Sequence, residues 1–200
     1  MFLKRFRLHS PPVEAETLAR KLGTTTHLSP LLMKARRLGL STSEALESLA
    51  IRRGCRYYDS RGELNRLAEE PAEYQAAHSA TLTNEELAVA LLSVVLPRSQ
   101  WRLRMGAAML AAEGNSPKRL AQLAVQERSE QVVSYIAQCG HQVEPGNDFW
   151  NKLLAHLPNP TYQPAPDVLP HLTRFVAMTG VTRRGKETIR QWIRPTRAAA

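Results

Sequence analysis

Residues 83–97 read T-N-E-E-L-A-V-A-L-L-S-V-V-L-P. Thr83-x-x-Glu86 is a capping box: the Thr hydroxyl accepts from the amide three residues on, and the Glu carboxylate reaches back to the Thr amide. Behind it, Leu87 to Leu96 is apolar at every position except Ser93. A helix that is apolar nearly all round is buried on most of its sides. This stretch therefore predicts the innermost helix of an all-α fold, ended by Pro97, which has no N–H to continue the ladder.

The pattern continues towards the C-terminus. Trp101, Met105, Ala108 and Ala112 recur at helical spacing as far as Gly114. Ser116-Pro117 opens the next helix, with Leu120, Leu123 and Ala124 on one face. Val132, Val133, Ile136 and Ala137 mark another, stopped at Gly140. Asn147 caps a fifth, which carries Phe149, Trp150, Leu153, Leu154 and Leu157 and stops at Pro158. Five helices with short loops predict an antiparallel core over 82–157, with Trp101 and Trp150 as its anchors. M-L-A-A-E-G at 109–114 and Y-I-A-Q-C-G at 135–140 echo each other. Helix pairs ending in this way resemble HEAT-type α-helical repeats over about 83–157, and that resemblance implies a short stacked array. A plain orthogonal bundle is the alternative.

Towards the N-terminus, three short helices are expected in a basic region, 1–60. They share an ending: Ala19-Arg20-Lys21-Leu22-Gly23, Ala35-Arg36-Arg37-Leu38-Gly39 and Ile51-Arg52-Arg53-Gly54. Ser10 before Pro11-Pro12, Ser29 before Pro30, and a capping box at Ser41-x-x-Glu44 supply the starts. Gly supplies each stop. Cationic last turns offset the negative end of a helix dipole. They can also converge into one cationic surface, and the two readings are compatible.

The charge is unevenly spread. Residues 1–60 hold eleven Lys/Arg against five Asp/Glu, and residues 170–200 hold seven against one, so each end carries about +6. The residues between sum to about −3. Like-charged ends repel unless something anionic neutralises them. Residues 61–81 read as an acidic helical connector and 158–170, P-N-P-T-Y-Q-P-A-P-D-V-L-P, as an extended Pro-rich linker. Residues 171–200 read as a basic tail with a final helix from Lys186 to Ile193, packing through Trp192 or ordering on binding. M-T-G-V-T-R-R at 178–184, followed by T-I-R-Q-W-I at 188–193, resembles a helix-turn-helix over about 172–193. That resemblance implies DNA contacts from Arg183, Arg184, Lys186 and Arg190.

Catalytic motifs are absent: there is no G-x-S-x-G, P-loop, G-x-G-x-x-G or H-E-x-x-H, and no enzyme is expected. Cys139, His141 and Glu144 crowd one expected loop, but a metal site needs a fourth fixed ligand, so neither metal nor cofactor is expected. No apolar run approaches the roughly 20 residues of a membrane span. M-F-L-K-R-F-R-L at the start has a signal peptide's charge without its apolar region, and is short for a membrane-surface anchor. Two isolated cysteines suit a reducing compartment, and a cytoplasmic location is expected. The expected partner is DNA or RNA, held by Arg20, Lys21, Arg36, Arg37, Arg52, Arg53, Arg183, Arg184, Lys186 and Arg190. The alternative is a protein–protein scaffold docking through the central helices.

Overall fold

The computed structural model describes residues 29–55, 81–97, 99–158, 179–184 and 187–195. Among them are seven helices: α1 Pro30–Arg37, α2 Ser43–Arg52, α3 Asn84–Leu91, α4 Gln100–Leu110, α5 Pro117–Gln126, α6 Glu130–Val143 and α7 Asp148–His156. The body is all-helical, as the apolar periodicity requires. Five of the seven lie in 82–157. None of the described helices is long and apolar enough to cross a membrane. The first expected basic helix, most of the acidic connector and nearly all of the Pro-rich linker lie outside the described residues.

Helix starts follow local chemistry. Ser29 Oγ accepts from Leu32 N, Ser116 from Arg119 N and Asn147 from Phe149 N. Both halves of the Thr83/Glu86 box are formed. α2 starts one residue later than expected, because Thr42 rather than Ser41 is the cap, accepting from Ala45 N. Gly39 and Gly54 close α1 and α2 with φ of +79° and +98°, a left-handed backbone that L side chains disfavour.

α3 is the buried element that its composition predicts, with every residue from Glu86 to Leu91 inside. It packs most extensively on α4 and also contacts α5. α2 lies on α3 and α4, α1 on α3, and α7 on α5 and α6. Gly106 allows the close crossing of α3 and α4, since a Cβ there would stand 2.7 Å from the Leu92 side chain. Gly140 is not a helix stop, because α6 runs on to Val143. Its bare Cα makes room for the Trp150 indole, which a Cβ would meet at 2.4 Å.

Two expectations about α3 and α4 are corrected together. α3 ends at Leu91 rather than at Leu96, and Trp101 is 40% exposed while its neighbour Arg102 is 1% exposed. Arg102 Nη1 donates to the carbonyls of Leu91 and Ser93, and Nη2 donates to that of Pro97. Leu92 N serves the Ala88 and Val89 carbonyls and Ser93 N that of Ala90. The guanidinium thus completes the end of α3, whose last four carbonyls have no partner within the helix. Burial pushes the Arg102 pKa down to about 10, against the opposing charge of Glu47. Trp101, about 100° round the helix, turns outward, with Arg104 over its ring at 5.8 Å.

The expected C-terminal helix is also corrected. Thr179–Arg184 (β1) and Glu187–Trp192 (β2) pair as an antiparallel hairpin, with Thr179 opposite Trp192 and Arg184 opposite Glu187. No recognition helix forms, and the helix-turn-helix reading falls with it. Neither cysteine forms a disulfide; both are buried. Burial pushes the Cys55 thiol up to about 12. The Cys139 thiol is raised to about 11 by burial, against an opposing hydrogen bond with Tyr135.

Arg102→Leu should destabilise the protein by roughly 3–5 kcal/mol in urea denaturation, because it strands several buried carbonyls. Arg102→Lys should recover only part, since an ammonium cannot reproduce the planar fork. Equal stability of Arg102→Leu and wild type would show that the carbonyls find other partners. Cys55 and Cys139 should resist alkylation in the native state at pH 8 and react on unfolding; rapid native labelling of either would contradict its placement.

Candidate anion-binding surface and the carboxylates beneath it

α1 carries the exposed cations of the described N-terminal region. Leu31 and Ala35 face the core, which leaves Lys34, Arg36 and Arg37 outside. Two carboxylates fix this helix. Glu127, 1% exposed at the end of α5, accepts from Leu31 N at 2.8 Å and from Ser29 Oγ. It thereby satisfies donors that the first turn of a helix leaves open, and its negative charge sits at the positive end of the dipole. Glu86 accepts from Lys34 Nζ at 2.7 and 2.8 Å while serving the capping box of α3. Burial opposes ionisation of Glu86, but the bonds from Lys34 and Thr83 prevail and hold its pKa below the ordinary value.

The sequence-nominated cations therefore divide. Arg36 and Arg37 are exposed on the last turn of α1, and among the described residues no carboxylate pairs with either. Arg52 is half-buried. Arg53 turns inward, donating to Asn84 Oδ1 at 2.9 Å and to the Leu82 carbonyl. Its pKa is lowered by burial, against the charge of Glu86. Arg183 and Arg184 fall on β1 and Arg190 on β2, opposite Thr188, Glu187 and Val181. Arg20, Lys21 and Lys186 lie outside the described residues.

The tail is held by a third carboxylate. Cys139 and His141 sit within α6 rather than in a loop, and Glu144 is the residue that caps it. Among the described residues no group of His, Cys, Asp and Glu is placed to hold a metal. Glu144 instead accepts from Asn147 Nδ2 (2.9 Å), Trp150 Nε1 (3.0 Å), Trp192 N (2.6 Å) and both terminal nitrogens of Arg194 (2.8 and 2.5 Å). Burial favours the neutral acid, but these donors, Arg194 foremost, hold its pKa at about 2. Trp192 Nε1 donates to the Ala107 carbonyl at 3.0 Å. That carbonyl lies in the last turn of α4, where Ala111 N bonds to Ala108 instead. The Trp192 ring meets Trp150 edge-on with centroids 5.3 Å apart. Glu127, Glu144, Arg102 and Arg194 were not singled out as paired residues in the sequence, because their partners lie far along the chain.

No protein-family model, curated protein or solved structure matches the chain.

Because the folded Glu144 pKa lies below its ordinary value of 4.5, its contribution is complete above about pH 5 and is lost as pH falls towards 2. After allowance for screening at its wetter edge, that contribution is about 2 kcal/mol. Trp192 should release over this window, shifting tryptophan emission to the red. Glu144→Gln should show the shifted emission already at pH 7 and lose that part of the acid dependence. An unchanged acid profile would refute the clasp.

Proposed function

We propose that this protein is a non-enzymatic accessory protein that binds a polyanion, DNA or RNA, through its basic N- and C-terminal regions. The observation that carries this reading is the Arg36–Arg37 pair. α1 is pinned at its start by Glu127 and midway by Glu86, so its last turn is held outward with two adjacent guanidiniums in solvent. A pre-positioned cationic turn loses little freedom when it meets a phosphate backbone. The net charge of +9 supports the same partner class. Lys34, Arg53 and Arg194 serve the core's own acceptors, so the contacts are assigned to Arg36 and Arg37, together with Arg20, Lys21, Arg52, Arg183, Arg184, Lys186 and Arg190. The hairpin lacks a helix that could enter the major groove, which favours a backbone clamp over a reader of base sequence.

Affinity for duplex DNA or structured RNA should fall with salt at a log–log slope of at least about 4 in magnitude. Arg36→Ala with Arg37→Ala should lower that slope by about 2 and weaken all sequences alike. Affinity that hardly changes between low and moderate salt would refute the polyanion reading. It would favour a protein scaffold, for which the exposed Trp101 on α4 offers an aromatic contact.

A further inference from the structure

Among the described residues, one short segment of the tail, Trp192 to Arg194, is tied to the helical body by hydrogen bonds. Trp192 gives its main-chain N–H to Glu144 and its ring N–H to Ala107, and Arg194 gives both terminal nitrogens to Glu144. Among the described residues, the groups that form the receiving socket belong to α4, α7 and the turn after α6. The socket offers a part-buried carboxylate, the Ala107 carbonyl and the ring of Trp150. None of these contacts depends on covalent continuity between tail and body. The socket reads a segment of the form Trp-x-Arg: an indole for the apolar slot, and a guanidinium whose fork matches a carboxylate.

The connecting chain is much longer than closure requires. Leu157 lies about 10 Å along the helix axis from Trp150, and Trp192 comes back to meet that same Trp150 edge-on. Thr179, which begins the hairpin, stands opposite Trp192. The twenty residues between, 159–178, span up to about 66–72 Å when extended. That reach covers a neighbouring molecule's socket as well as the chain's own.

We propose that this socket is an interaction site for a second copy of the same chain, which inserts its own Trp192-Ile193-Arg194 segment, so that two copies exchange tails. Each exchanged joint has the contacts of the closed monomer, which is why exchange of an identical element is a low-cost route to a dimer. The reading stands apart from the polyanion proposal, because none of the socket's residues contributes an exposed cation.

Two full-length variants with complementary lesions test it. Glu144→Lys spoils the socket and keeps the tail; Arg194→Glu spoils the tail and keeps the socket. With nucleic acid removed, each alone should run as a monomer by size exclusion with light scattering. Mixed one to one, they should form a heterodimer, in which the tail of the first fills the socket of the second. Adding Trp192→Ala to the Glu144→Lys chain should abolish it. Should Glu144→Lys fail to give a helical spectrum, Glu144→Gln takes its place. A labelled peptide of residues 187–197 should also bind the Arg194→Glu chain at least tenfold more tightly than wild type, whose socket is filled. Folded variants that remain separate monomers on mixing, or a peptide that ignores the Arg194→Glu chain, would overturn the proposal.

Discussion

A short helix leaves a large share of its backbone groups without an internal partner, and the described helices of this protein run to only 8 to 14 residues. Each end exposes up to four N–H or four C=O groups that burial makes costly. The fold depends on satisfying those groups with side chains from elsewhere. Arg102 completes the end of α3 and Asn115 completes that of α4 through the Met109 and Leu110 carbonyls. Trp192 takes the remaining Ala107 carbonyl, and Glu127 receives the start of α1. Packing brings the helices together; these long-range caps let their ends lie inside.

The same contacts answer the question that the charge distribution raises. Two ends of about +6 share one molecule, and part of the anion that accommodates them is the core itself. Glu86 takes Lys34, Glu127 faces the positive end of α1, and Glu144 takes Arg194. These carboxylates are nearly buried, so salt screens them less than surface pairs. They use some of the cations and hold others outward. Arg36 and Arg37 are in the second group, which is why the surface reading rests on them rather than on Arg53 or Arg194.

Locally written features were legible in the sequence. Thr83-x-x-Glu86, Ser29-Pro30, Ser116-Pro117 and Asn147 each act within one turn, and the structure uses all four. The buried character of α3 followed from its unbroken apolar run. Arg102 was missed because periodicity treats Arg as a solvent-facing residue, and a one-residue rotation then exchanges it with Trp101. Gly140 resembles a stop in sequence; its use as a close-approach position depends on Trp150, ten residues on. The hairpin was hidden by a turn-like M-T-G-V-T and by a following helix-like segment. Its signal was present: two runs with Val181, Thr182, Thr188 and Ile189, separated by Gly185-Lys186. Glu144 drew attention for its neighbours Cys139 and His141, whereas its partners Trp192 and Arg194 stand about fifty residues away. No local pattern announces such a pair.

The central claim is that carboxylates of the helical core hold the described parts of both basic ends in place. The amides of Leu31 and Trp192 report this directly, because each donates its N–H to one of those carboxylates, Glu127 and Glu144. Native-state hydrogen exchange read residue by residue should find both amides protected far above the free-chain rate. Trp192 alone should lose protection in Glu144→Gln, and Leu31 alone in Glu127→Gln. Exchange of either amide at the free-chain rate in the wild-type protein at pH 7 would contradict the claim.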